Sequence, residues 1–320
     1  MTKPVIHTVY PDADKDESVL DDKFTSLKQI GEFSLHYGRS ADDDEYVGRI
    51  REATAILLGW DLPAAVMIEA PYLEVVSFTG IGAGKFVDLE VARERNITVC
   101  NCPGYSDNTV AEHALALLLA CVRHVPRLDK RLRTGQWDQS LLGMELRGKR
   151  LGLIGFGGIG ARFAEIAQAL GMVVSVWTRN PSAQRAARHG VEFAALDDIL
   201  ASSDVISVHL TSNPDTEKFI DAQAISKMKA GVVFINTARA EIVDESALLD
   251  ALSTGRISSA GLDVFLEEPL PRENPYSELD NVVITPHIGY RTPDATNTLY
   301  QIGIENILSY YRGEPVNVVS

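Results

Sequence analysis

Short apolar runs alternate with longer polar stretches along nearly the whole chain. Residues 1 to 100 carry VIHTVY, ATAILLG, LEVVSF and ITVCN, separated by acidic or helical stretches such as DESVLDDKFTSL. This is the rhythm of β-α-β units around a parallel sheet. Residues 109 to 125, TVAEHALALLLACVRHV, are apolar on most faces and predict a long, largely buried helix. From residue 150 a second series of strands follows, RLGLIGF, MVVSVW, VISVHL, GVVFINT, SSAGLDVF and NVVITPH, with stretches of helical period between them. The pattern predicts a second doubly wound sheet, and TNTLYQIGIENILSYYRG predicts a closing helix.

A chain of 320 residues is long enough for two cores. The expected division is residues 1–100 with 290–320 in one α/β domain and 101–289 in the other, with crossings near 101–108 and 289–295. The runs PDADKDES and SADDDEY read as solvated loops or helix faces. A formal charge of -14 opposes nucleic acid and anionic membranes as partners, so an anionic substrate has to be drawn in by local cations. No secretory leader and no apolar run of membrane-spanning length is apparent, and Cys100, Cys102 and Cys121 show no C-x-x-C spacing. Reduced structural thiols and a cytoplasmic location are expected, and no metal site is.

The stretch LGLIGFGGIG places Gly155, Gly157 and Gly160 between a strand and a helix, the context a dinucleotide fingerprint requires. Gly155 is expected to make the tight turn, Gly157 to clear room for the pyrophosphate, and Gly160 to let the helix pack on the strand. The first helical turn, with Gly158 and Ile159, then offers its N–H groups to the phosphates. The next strand, MVVSVW, should end on the residue that meets the adenosine ribose. Thr178 and Arg179 stand where an acid would select NAD, with Arg185 and Arg188 in the following turns. A hydroxyl and a guanidinium suit a 2'-phosphate, so NADP is the expected cofactor and NAD the alternative.

Three motifs lie at the C-terminal ends of predicted strands: INTARAEIVDE with Thr237 and Arg239, AGLDVFLEEPLP with Asp263 and Glu268, and ITPHIGY with His287. Together with TGIGAGKFVDLEVARERNITVCNCPGY, TVAEHALALLL, LRGKRLGLIGFGGIG and VHLTSNPDTEKFI, in this order, they make the chain resemble the D-isomer-specific 2-hydroxyacid dehydrogenases from about residue 75 to 290. The resemblance implies a Rossmann-type cofactor domain and a flavodoxin-like substrate domain. It also implies hydride exchange between nicotinamide C4 and C2 of a small 2-oxo or D-2-hydroxy acid such as glyoxylate or hydroxypyruvate, with Arg239, Glu268 and His287 as the catalytic set. It further places Asp263 on the nicotinamide carboxamide and Thr109 near the cofactor, and suggests a homodimer contact through the helix from Thr109 and the LDKRLRTGQW arm.

Elementary chemistry supports these roles. A guanidinium at Arg239 can grip a carboxylate and polarise a ketone, imidazole at His287 exchanges a proton near neutral pH, and a carboxylate at Glu268 favours the imidazolium. The TGIGAG stretch, with Ile81, Gly82 and Ala83, offers backbone N–H groups as a nest for the substrate carboxylate. Four departures from the family pattern stand out: a longer TGIGAGKFVDL loop, Ser106 where Asn is common, Ala240 for Gly, and Tyr290 for a second Gly after HIG. Two other readings use the same residues: a relative oxidising formate or phosphite, and a sensor that binds NAD(P) without chemistry.

Overall fold

The computed structural model describes residues 6–13 and 23–320. Most of the helical stretch read at 16–27 and the end of PDADKDES lie outside the described residues. The chain divides into two compact units, Met1–Tyr105 with Thr292–Ser320 and Ser106–Arg291. The chain passes from one unit to the other at 105/106 and 291/292.

In the first unit, β1 (His7–Ala13), β2 (Glu32–Tyr37), β3 (Ala55–Leu58), β4 (Val75–Phe78) and β5 (Thr98–Cys100) form an all-parallel sheet of order β2-β1-β3-β4-β5. Ile56, Leu58 and Val76 face one core, and Ala55, Leu57 and Val75 the other, as a sheet covered on both faces requires. The closing helix, Pro293–Tyr311, starts at Thr292, whose side chain accepts the Ala295 N–H. Its Asn306, fully buried, donates to Ser77 Oγ and the Asn101 carbonyl. The edge strand EFSLHY escaped the sequence reading because its side chains are mostly half-buried and it lacks an apolar run.

Asp12 corrects the solvated reading of PDADKDES. It is 4% exposed, and its carboxylate accepts the N–H groups of Gly59 and Trp60, which fixes the loop leaving β3. In SADDDEY, by contrast, Asp42 caps the helix Asp43–Ile50 by accepting the Glu45 N–H.

The second unit holds β6 (Arg150–Ile154), β7 (Val173–Trp177), β8 (Glu192–Phe193), β9 (Val205–Val208), β10 (Val232–Asn236), β11 (Ile257–Leu262) and β12 (Val282–Ile284). All pair in parallel, in the order β12-β11-β10-β9-β6-β7-β8. The chain winds outward from β6 through β7 to β8 and then returns to β9 at the other side of β6. The carboxyl ends of β6 and β9 thus form a topological switch point, the place where such sheets take ligands.

The buried helix runs over Asp107–Val122 and stops three residues short of the expected end. His124 takes a left-handed conformation and Pro126 opens a second helix, Val125–Arg133, since a proline ring cannot continue the first. The long helix packs on β10 and β11, close enough that a Cβ at Gly261 would stand 2.8 Å from Leu117 Cβ. All three cysteines are free and buried, and burial pushes their thiols up to about 11 at Cys100 and Cys121 and about 12 at Cys102. They are unreactive packing groups.

Candidate active site

The glycine turn after β6 fits a dinucleotide. Gly155 sits at φ +104°, a conformation open to glycine, and a Cβ there would stand 2.3 Å from the His209 carbonyl oxygen. At Gly157 no atom lies within 4 Å of the missing Cβ, so this position faces open space. At Gly160 a Cβ would press on the Gly155 carbonyl at 2.7 Å, which is the close helix–strand contact anticipated. Gly158 and Ile159 form the first turn of the helix Gly158–Ala169, whose N–H groups face that opening.

Other groups at the carboxyl ends of the same strands complete the cradle. Thr237, just past β10, is 8% exposed, and its hydroxyl has no hydrogen-bond partner among the described residues, an orphan that suits a ligand. Thr109 is half-buried in the first turn of the long helix. His209, just past β9, bonds through Nε2 to Ser207 Oγ at 2.9 Å, and burial lowers its imidazole to about 4, so it is neutral. Thr178 and Arg179 follow β7 directly. Arg179 is exposed and lies 3.4 Å from Asp215, also exposed, a contact of little energy in water. Arg185 is occupied elsewhere: its guanidinium donates to the Phe156 and Asn180 carbonyls.

The catalytic candidates converge on the same edge. His287 Nδ1 and Glu268 Oε2 are 2.7 Å apart, and Glu268 Oε1 accepts the Phe265 N–H at 2.9 Å. The carboxylate is thereby fixed at both oxygens, and the ring keeps Nε2 for other work. His287 takes a left-handed backbone at φ +52°, unusual for a side chain with a Cβ. Asp263 holds it there. This 2%-exposed carboxylate accepts Thr285 Oγ1 at 2.5 Å and the N–H groups of Ile288 and Gly289 at 3.0 and 2.8 Å. Burial alone would raise the Asp263 carboxyl, but the hydrogen bonds from His113, Thr285, Ile288 and Gly289 outweigh it and leave the group below its ordinary value. The Tyr290 ring stands edge-on to His287, centroids 6.1 Å apart, so the residue that departs from the family pattern packs beside this imidazole.

Arg239 leaves β10 on a loop built by Asn236, whose side chain accepts the Ala238 N–H and donates to the Arg239 carbonyl, both at 3.0 Å. The guanidinium donates to the Ala238 carbonyl at 2.7 Å and pairs with no carboxylate among the described residues. Asp244, five residues on, caps the helix Glu245–Ser253 and pairs with Lys218. The positive charge of Arg239 is left for a ligand. Asn236, His113 and Thr285 were not anticipated. They act on other residues of the site, and only the side-chain-to-turn spacing of Asn236 had a local signal in the sequence.

On the first unit, the loop after β4 narrows the expected nest. The Ala83 N–H is taken by the Ile81 carbonyl at 3.1 Å, whereas those of Ile81 and Gly82 meet no acceptor among the described residues. No atom lies within 4 Å of a Cβ at Gly82. Among the described residues no cluster of His, Cys, Asp or Glu is placed to hold a metal ion, and no helix is long and apolar enough to cross a membrane.

Residues 115–289 match the family model of the D-isomer specific 2-hydroxyacid dehydrogenase NAD binding domain, more than half of the chain. D-3-phosphoglycerate dehydrogenase of Mycobacterium bovis is 42% identical over 257 residues, 79% of this chain and 48% of that protein. The chain thus spans about half the length of these relatives. Hydroxypyruvate reductase of Blautia hydrogenotrophica is 34% identical over 92% of this chain and 94% of its own. Among solved structures, an acyclic imino acid reductase in complex with NADPH and D-Arg aligns with a TM-score of 0.88 at 30% identity, covering 98% of this chain and 100% of that one.

Proposed function

The chain belongs to the D-isomer specific 2-hydroxyacid dehydrogenase family, and from that membership we propose an oxidoreductase that exchanges a hydride between a nicotinamide cofactor and C2 of a small 2-oxo or D-2-hydroxy acid such as glyoxylate or hydroxypyruvate. The observation that carries the reading is the Glu268–His287 contact at 2.7 Å on the same sheet edge as an Arg239 with no carboxylate partner among the described residues. The nicotinamide, when bound, supplies or takes up the hydride. Arg239 holds the substrate carboxylate and draws electron density toward the C2 oxygen. Because Glu268 engages Nδ1, Nε2 of His287 is the atom that gives a proton to that oxygen in reduction and takes it back in oxidation. Asp263 keeps His287 in place, and its Oδ2, which accepts one N–H, has capacity for the carboxamide. Ile81 and Gly82, whose N–H groups meet no acceptor among the described residues, are assigned to the substrate carboxylate; Ala83 closes the turn. Gly155, Gly157, Gly158, Ile159, Gly160, Thr109 and Thr237 are assigned to the cofactor.

We assign NADP as the preferred cofactor, on Thr178 and Arg179 at the end of β7 and on the NADPH named for the imino acid reductase. Initial rates with NADPH and NADH against glyoxylate, hydroxypyruvate, pyruvate and bulkier 2-oxo acids test both halves. Oxidation of formate or phosphite without reduction of any 2-oxo acid would refute the substrate class, and no turnover of any of them would favour a sensor. Arg179→Ala is expected to raise KM for NADPH about tenfold and that for NADH less than about twofold, since one charge-assisted contact to the 2'-phosphate is lost. Equal effects on the two would refute the cofactor assignment.

A homodimer is also proposed. The arm after the helix Val125–Arg133 exposes Trp137 at 78% and Leu142 at 89%, a cost in water that a second copy would remove. A monomeric mass at micromolar concentration in analytical ultracentrifugation would refute it. The unreactive thiols suit the cytoplasm, where we place the protein.

A further inference from the structure

Asp107 opens the long buried helix, and its carboxylate packs against the backbone of Gly158 in the first turn of the cofactor helix. A Cβ at Gly158 would stand 1.7 Å from Asp107 Oδ2. Gly158 is not one of the three glycines the dinucleotide motif demands, so it has a separate cause: the carboxylate fills the space a side chain would take. Among the described residues the Asp107 side chain makes no hydrogen bond and no ion pair. Burial without a compensating cation raises its carboxyl above the ordinary value.

The surrounding charges are spoken for. Arg162, on the cofactor helix, donates to Asn108 Oδ1 and Glu165 Oε2, each at 2.7 Å. Glu112, one turn along the helix of Asp107, accepts from Asn108. Arg185, from the helix after β7, is bound to backbone carbonyls, and His209, after β9, is neutral. No described residue neutralises Asp107 at the turn whose N–H groups face the open space beside Gly157.

We infer that Asp107 governs cofactor affinity: as a carboxylate it opposes the diphosphate at the first turn of the cofactor helix, so dinucleotide binding takes up a proton at this side chain and weakens as pH rises. The inference rests on the dinucleotide reading of that turn. Helix N-termini favour anions, and two anions at one turn share that favour at mutual cost. Since the side chain is only half-buried, solvent screens the repulsion and an effect on the order of tenfold in Kd is expected. The function served is release: a cofactor held less tightly exchanges faster between turnovers.

Calorimetric titration of the full chain with NADP+ and with NAD+ between pH 5 and pH 8, in buffers of different ionisation heat, tests this. For the unsubstituted protein, Kd should rise with pH and proton uptake should accompany binding. Asp107→Asn should bind about tenfold tighter at pH 8, by the same factor for both dinucleotides because both carry the diphosphate, and should take up fewer protons. Asp107→Ser, checked for an unchanged thermal transition, should behave alike. Unchanged or weaker binding in both variants, or a pH dependence that survives them, would overturn the inference while leaving the cofactor reading intact. If neither the unsubstituted chain nor the variants bind either dinucleotide, both fall.

Discussion

Replacement of His287 by alanine is expected to lower kcat for 2-oxo acid reduction by about a hundred- to ten-thousandfold while the Kd for NADPH stays within about twofold. The imidazole is held by a carboxylate on one nitrogen and open on the other, with Nδ1 2.7 Å from Glu268 Oε2. Its loss leaves the developing alkoxide with water as proton donor. The cofactor turn is built by Gly155, Gly157 and Gly160, and none of those contacts passes through the ring. Stopped-flow reduction at saturating NADPH, paired with fluorescence titration of the cofactor, separates the two quantities. Unchanged turnover would remove His287 from the proton path, and a matching loss of NADPH affinity would recast it as a binding residue. Glu268→Gln should fall between the two proteins, because an amide can still orient the ring but does not stabilise its charged form.

The sequence was most informative where one residue type serves one local purpose. Six apolar runs in the second unit match strands because a parallel sheet covered on both faces takes mostly apolar residues at its inner positions. The edge strands Glu32–Tyr37 and Glu192–Phe193 lacked that signal, being half-wet. The long helix was expected to end just before Pro126, and it stops three residues sooner, at a left-handed His124 that no apolar pattern signals. Arg239, Glu268 and His287 could be named from motifs, and the 2.7 Å contact joins two of them across nineteen residues of chain. What holds them in place was hidden. Asp263 is buried against the histidine loop, and its partner His113 comes from a helix 150 positions earlier. Such pairs exist only once the sheet is assembled, as does the packing of Asp107 on Gly158. Asp12 shows the reverse error: an acid in an acidic run is solvated by default, and only the backbone donors of Gly59 and Trp60 make it a buried strut.

Arg239→Ala is expected to lower kcat/KM for 2-oxo acids by about a thousandfold or more, with both kcat and KM affected. The reasoning starts from charge. At a net -14 the protein repels an anionic substrate at long range, so its carboxylate has to be captured by a fixed local cation. Arg239 meets that need: it lies just past β10 on a turn clamped at both ends by Asn236, and its guanidinium has no carboxylate partner among the described residues. On the proposed function, the planar group that binds the carboxylate can also bond to the C2 oxygen, where charge grows during hydride transfer, so ground-state binding and the chemical step are both expected to depend on it. Arg239→Lys restores the charge without the two-pronged geometry, and should recover KM more than kcat. Steady-state kinetics on the three proteins, with cofactor saturating, reads this directly. A loss confined to KM in Arg239→Ala would restrict the guanidinium to holding the carboxylate and take it out of the polarisation of the ketone.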